Sequence, residues 1–208
     1  MKREHSENIE LPGGYKRLEY VESTGTQYID TLYQISRASI DTTTVEHDVV
    51  MLKASSNAAN GKDLNGYFFW GIQSSGYLYA YMGDTRETSK YKSNKYIDNK
   101  RCIVEFSGMN KNIVLDGEVL YTYPNNTITA SSNIYIGAVS GYSTGNYCIS
   151  QRTFDFTIAS NDNIVLHLVP ALRLSDNKPG LYDLCGSICP LTGTSFYINA
   201  GTGEFLYK

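Results

Sequence analysis

The chain has 208 residues, enough for one domain of the larger all-β kind with a substantial core. Only 19% of residues are charged and the net charge is −3, so the basic face of a nucleic-acid binder is missing. No apolar run approaches the roughly 20 residues of a membrane span, which leaves glycans and proteins as the easier partners.

Tyr and Gly each occur 18 times, against a single Trp, and that balance favours strands and tight turns. The opening MKREHSENIE carries charges without an apolar secretory core, so the expected place of synthesis and folding is the cytoplasm. Met1–Gly14 is polar and ends in Leu11-Pro12-Gly13-Gly14. It reads as a flexible arm, either a frayed terminus or an attachment segment. Residues 15–208 read as a single domain.

Within that domain, Arg17–Val21 and Gln27–Thr31 are short strands around the turn Ser23-Thr24-Gly25-Thr26. Ala38–His47 alternates and is rich in β-branched residues, another strand; Val49–Lys53 either extends it or starts a short excursion. Residues 55–66 have the composition of a surface loop. Tyr67–Met82 is the most aromatic segment and reads as a hairpin turning at Gln73–Gly76. In its second strand Tyr77, Tyr79 and Tyr81 share one face, and Leu78, Ala80 and Met82 the other. Gly83–Asn99 reads as a long loop or a poor edge strand.

The clearest local signal lies in Arg101–Tyr123. Cys102, Val104 and Phe106 alternate with polar neighbours, and Asp116-Gly117 joins two apolar runs. Asp-Gly tolerates the two positive φ angles of a type I′ hairpin turn. Residues 123–133 form a turn region, Asn133–Val139 a strand, and Ser140–Tyr147 a Gly/Ser/Tyr loop. Arg152–Ala159 alternates. Ile164–Leu174 is an apolar run in which Pro170 predicts a bend or an edge. Thr194–Lys208 reads as a last hairpin broken by Gly201 and Gly203. About a dozen strands at short spacing, with no sustained helical period, predict an all-β sandwich or barrel.

The opening LPGGYKRLEYVESTGTQYIDT (residues 11–31) and the close LVPALRLSDNKPGLYDLCGS with FYINAGTGEF (residues 168–187 and 196–205) resemble a group of concanavalin A-like, laminin-G-like jelly-roll domains. The matching positions include Pro170, Arg173, Asp176, Gly180, Tyr182, Asp183, Phe196, Tyr197 and Gly201. Cys185–Thr194 departs from the pattern as a small insertion. The resemblance implies a two-sheet antiparallel jelly-roll sandwich. It also implies the settings where such modules occur: bacteriophage particles (head fibre, decoration, tail fibre or baseplate) and bacterial surface proteins. The expected function is therefore a non-enzymatic virion structural or adhesion module that binds host or mucosal glycans. Its expected partners are other virion proteins docked through the arm, and copies of itself in a homo-oligomer. The alternative is a bacterial cell-surface lectin or adhesin, and behind it a glycan hydrolase.

A hydrolase on this fold would need paired carboxylates alternating along one strand. The nearest match, Val45-Glu46-His47-Asp48, has Val50 where the second Glu belongs, so no catalytic residue is assigned. The three His show no zinc spacing, and Cys185-x-x-x-Cys189 has a metal-like interval but no second pair close in sequence. Cys102, Cys148, Cys185 and Cys189 are expected to be reduced thiols serving as small core residues. His167 is expected to be a hydrogen-bonded core or edge residue. No cofactor is assigned. The resemblance leaves room only for a Ca²⁺ on loop carboxylates such as Asp63, Asp84 or Asp162.

Sugars present C–H faces that stack on aromatic rings and hydroxyls that need polar partners. The expected glycan contacts are therefore Trp70, Tyr77, Tyr79 and Tyr81 with Asp84 and Arg86, and in the second loop Tyr142, Asn146 and Tyr147. The competing reading puts the aromatic stripe of the hairpin in the core.

Overall fold

Period-two alternation of apolar and polar residues becomes strand along most of the chain, because each such segment can bury one face against a facing sheet. The structure is a computed structural model that describes residues 9–36, 39–54, 58–62, 67–83, 90–123, 132–140, 148–189 and 191–208. The first half contains β1 (Tyr15–Arg17), β2 (Val21–Thr24), β3 (Ile29–Ile35), a 3-10 turn (Ile40–Thr42), β4 (Thr43–Leu52), β5 (Ala58–Lys62), β6 (Tyr67–Ile72), β7 (Tyr77–Gly83) and β8 (Lys90–Tyr96). The second half contains β9 (Arg101–Ser107), β10 (Asn112–Leu115), β11 (Glu118–Thr122), β12 (Ser132–Ile136), β13 (Val139–Ser140), β14 (Ser150–Ser160), β15 (Asn163–Arg173), β16 (Lys178–Asp183), β17 (Phe196–Tyr197) and β18 (Leu206–Tyr207).

The strands form two sheets packed as a sandwich. An eleven-stranded sheet runs β11-β10-β9-β4-β14-β15-β16-β17, with β1 on β15, β2 on β14 and β18 on β2. A seven-stranded sheet runs β3-β12-β5-β6-β7-β8, with β13 on β5. Pairing is antiparallel except between β13 and β5. The all-β sandwich expected from the sequence is the observed architecture, and it is compatible with a jelly roll.

The core lies between the sheets. Phe68, Trp70, Ile72, Leu78, Ala80 and Met82 enter it from β6 and β7, and Val45, Val49, Phe106, Phe156 and Leu168 meet them from the other sheet. The Trp70 ring stands 5.4 Å from Phe106 and 6.3 Å from Phe156. Each such side chain contributes about 1.5–3 kcal/mol by leaving water.

The Asp116-Gly117 turn has the predicted geometry, with φ of 50° and 83°, and Asp116 also accepts the Ile103 N–H at 2.8 Å. Several boundaries differ from expectation. A 3-10 turn occupies Ile40–Thr42, so the strand expected from Ala38 begins at Thr43. Of the two forms expected for the Lys-rich stretch before Arg101, its described part takes the edge strand, β8. Pro170 neither bends nor ends β15. On that side β14 pairs only as far as Leu168 and β1 takes over at Ala171, so no ladder partner needs the missing N–H.

The expected terminal hairpin does not form. β17 pairs with β16 and β18 pairs with β2, because Gly201 lies against the Thr26 carbonyl and the chain bonds through Ala200 and Thr202 to the Tyr28 and Thr26 carbonyls instead of back on itself. All four thiols are free. Cys102 and Cys189 are buried, Cys148 is half-buried, and Cys185 is exposed, contrary to its expected place in the core. Burial pushes the Cys102 thiol up to about 12, which keeps it protonated and inert.

Candidate functional site

Alternation along β7 sends Leu78, Ala80 and Met82 into the core and Tyr77, Tyr79 and Tyr81 to the outer side of the seven-stranded sheet. Cross-strand register extends that side into one transverse row, Asp30–Tyr135–Gly61–Phe69–Tyr81. The row has three parts with different exposure.

At its centre, Phe69, Tyr79 and Tyr81 pack with Ala59 and Val139 in a second apolar cluster, separate from the main core. Phe69 stacks on Tyr81 at 4.4 Å and meets Tyr79 edge-on at 5.7 Å. Tyr79 and Tyr81 are only 4% and 3% exposed.

At the β7–β8 end, Tyr77 and Tyr96 meet edge-to-face at 5.6 Å and are exposed. The Tyr96 hydroxyl donates to Asp98 Oδ2 at 3.2 Å, and its ring lies over Gly76, where a Cβ would fall 2.4 Å from it. Asp98 also accepts the Lys53 N–H, and these bonds hold its carboxyl below the usual range.

At the β3–β12 edge, Tyr28 and Tyr135 stack nearly parallel, 5.0 Å apart with 17° between the planes, and both are half-buried. Asn133 Nδ2 donates to both oxygens of Asp30, at 2.9 and 3.1 Å. Asp30 Oδ1 also accepts the Leu32 N–H at 2.9 Å and so holds a bulge in which Leu32 takes φ 59°. Burial, and next the Asp30 charge, push the phenols of Tyr28 and Tyr135 upward. They remain neutral donors beside a carboxylate and an amide oxygen, the groups that a sugar's hydroxyls can bond.

Trp70 lies elsewhere. It is wholly buried, and its indole N–H donates to His47 Nδ1 at 3.2 Å across the sandwich. It presents no surface to a ligand, because Phe68, Trp70 and Ile72 alternate inward together. His47 Nε2 is 3.1 Å from Thr153 Oγ1, and complete burial lowers the imidazole to about 3, with the Asp155 charge opposing. Asp84, Arg86, Tyr142, Asn146 and Tyr147 lie outside the described residues, as do Asp63 and most of the N-terminal arm.

The outer side of the eleven-stranded sheet is built differently. Arg101 makes a two-pronged pair with Asp48 at 2.9 and 2.8 Å and lies 3.9 Å from the Phe154 ring. Arg152 pairs with Glu22 at 2.7 Å and reaches over Tyr20. His167 meets Asp155 at 3.0 Å; it is hydrogen-bonded as expected, but half-buried on the interior strand β15 instead of in the core or at an edge. Glu46 and Asp48, the nearest approach to a glycanase pair, face this side, where Asp48 is already bound by Arg101. Among the described residues no three His, Cys, Asp or Glu side chains gather as a metal site.

Tyr28, Asp30, Asn133 and Tyr135 escaped the sequence reading. The outward alternation of Tyr28 and Asp30, and of Asn133 and Tyr135, is visible in the sequence, but the pairing of segments about a hundred residues apart is not. No family model matches the chain, and no curated protein matches it.

Proposed function

We propose that the protein is a non-enzymatic recognition module that binds glycans on the outer side of its seven-stranded sheet, at the Tyr28–Tyr135 stack. One observation carries this reading: two stacked, half-exposed tyrosines stand beside an Asp30–Asn133 pair that keeps free acceptor capacity. Aromatic rings take the C–H face of a sugar, while a carboxylate and an amide take its hydroxyls. Glycan-array binding by the full chain tests it. Asn133→Ala and Tyr135→Ala, folded as native by circular dichroism, are expected to lose the signal. Unchanged binding in both moves the site elsewhere, and Tyr77→Ala with Tyr96→Ala then tests the other end of the row.

The proposed setting is a phage particle, as a head-fibre, decoration, tail-fibre or baseplate-associated module acting in several copies. The resemblance of residues 11–31 and 168–205 to such jelly-roll modules supports it. Several copies fit a weak single site, because multivalency multiplies avidity without new contacts. Capsid and tail genes beside the coding sequence are expected. Genes for secreted wall-anchored proteins there would place the module on a bacterial surface instead.

A further inference from the structure

Proton bookkeeping in the core exposes a gap. The Trp70 indole can only donate, so His47 Nδ1, 3.2 Å away, carries the lone pair. The neutral imidazole then bears its proton on Nε2 and donates it to Thr153 Oγ1 at 3.1 Å. Gln151 Nε2 donates to the same oxygen at 3.3 Å. Thr153 has therefore accepted twice, and its own hydroxyl proton meets no acceptor among the described residues. Gln151 Oε1 is buried and meets no donor among the described residues. Reversing the Gln151 amide lets its oxygen accept from Thr153 but strands the nitrogen, so one unpaired group remains either way.

Both groups border one small interior cavity of about 10 Å³. Ser23, Gln151 and Thr153 line its polar side, and Ile29, Ile136 and Leu181 its apolar side. That volume is about one water-sized sphere, and a buried water needs two to four polar partners. Three are present. Ser23 gives its own proton to the Ile149 carbonyl at 2.7 Å, which leaves its oxygen free to accept.

We propose that this cavity binds a single structural water that accepts from the Thr153 hydroxyl and donates to Gln151 Oε1 and Ser23 Oγ. The water completes a chain Trp70–His47–Thr153–water–Gln151 that begins on β6 of one sheet and ends on β14 of the other. It fixes the hydroxyl of Thr153 so that its oxygen stays turned to the His47 Nε2–H, the tautomer that the Trp70 indole already sets. The polar lining decides occupancy, since an apolar cavity of this size stays dry.

Magnetic relaxation dispersion of water oxygen on the full chain counts long-lived internal waters, and nuclear Overhauser transfer to the methyls of Ile29, Ile136 and Leu181 locates them. The native chain is expected to show a long-lived water in contact with all three methyls. Thr153→Val, nearly the same shape, is expected to hold one fewer such water and to lose that transfer. Ser23→Ala serves if Thr153→Val does not fold, and is expected to shorten the residence time. A native chain with no transfer to these methyls overturns the proposal. So does a water whose count and residence are unchanged in the variants.

Discussion

Outside the eleven-stranded sheet, Arg101 holds both oxygens of Asp48 while lying on Phe154, and Arg152 pairs with Glu22. Outside the seven-stranded sheet, an equivalent pleated surface carries Tyr28 on Tyr135, Phe69 on Tyr81, and Tyr77 against Tyr96. The first surface answers its own charges. A bulge in β14 after Thr153 puts Phe154 and Asp155 on the outside together, which supplies the ring for Arg101 and the carboxylate for His167. The second surface offers the rings and phenols of Tyr28 with Tyr135 and of Tyr77 with Tyr96 at its two ends, while Phe69, Tyr79 and Tyr81 between them are buried. A sandwich can thus close one side with paired charges and leave recognition to the other.

The comparison assigns Trp70 to neither surface, and its removal should have the largest effect. Trp70→Ala opens a cavity between the sheets and leaves His47 Nδ1 without its donor, so denaturant unfolding should show a loss of about 3–5 kcal/mol. Ligand affinity of the remaining folded protein should be unchanged. A stable variant that fails to bind would return Trp70 to the site and dissolve the division.

His47 tests the same interior by pH. Its folded value, lowered to about 3, lies below the ordinary 6.5. Between these values the unfolded chain binds the extra proton, so this contribution is fully present above pH 6.5 and fades on acidification. By pH 4 the loss should reach about 3 kcal/mol. His47→Gln should be less stable at neutral pH and show a flatter dependence below pH 6.5. Parallel curves would mean that surface carboxylates such as Asp98, which its bonds to Lys53 and Tyr96 hold below the usual range, dominate the acid response.

The division between the two surfaces was partly legible. The alternation in Tyr77–Met82 assigned the three tyrosines and the three apolar residues to opposite sides, as observed. The same rule applied to Tyr67–Ile72 would have sent Trp70 inward with Phe68 and Ile72, but aromatic content drew it into the site. Strand partners were less legible than strands. Local pattern fixes the Asp116-Gly117 turn because the turn chemistry is contained in two residues. It cannot say that Asp30 lies beside Asn133, or that Leu206 pairs with Glu22, because those contacts follow from how two sheets close around one core. His47 looked like part of an incomplete carboxylate strand. Its role depends on Trp70 and Thr153, which only the closed sandwich brings within 3.2 and 3.1 Å.

Two paired substitutions sharpen the comparison further. Arg101→Ala leaves the nearly buried Asp48 without its two-pronged partner and uncovers Phe154, at an expected cost of about 1–3 kcal/mol. Half of Arg101 is exposed, so the cost falls short of a fully buried pair. Glycan binding should not change. Tyr135→Ala should show the reverse pattern: loss of one stacked ring costs about 0.5–1.5 kcal/mol of stability, and binding falls at least tenfold. If Arg101→Ala abolishes binding while Tyr135→Ala leaves it intact, the two surfaces have been assigned the wrong way round.

The smallest effect is expected where the two sheets meet at their open edges, β8 and β11. Among the described residues, Tyr91 stacks on Tyr121 at 5.0 Å, and Lys95 pairs with Glu118 at 2.7 Å. The ion pair is short, yet both side chains stand well into solvent, and ordering them costs rotamer entropy that the screened attraction barely offsets. Lys95→Ala should therefore change unfolding by about 0.5 kcal/mol or less, and less still as salt is raised. Tyr121→Ala should cost more, because it removes ring area that bridges the sheets. The value of Lys95 lies instead in what it prevents. A lysine on an edge strand discourages pairing with another chain, so Lys95→Ala should aggregate faster on mild heating although its midpoint hardly moves. A loss above 1 kcal/mol would mean that the ion pair, and not the tyrosine stack, closes this edge, and that charge pairing extends beyond the eleven-stranded side.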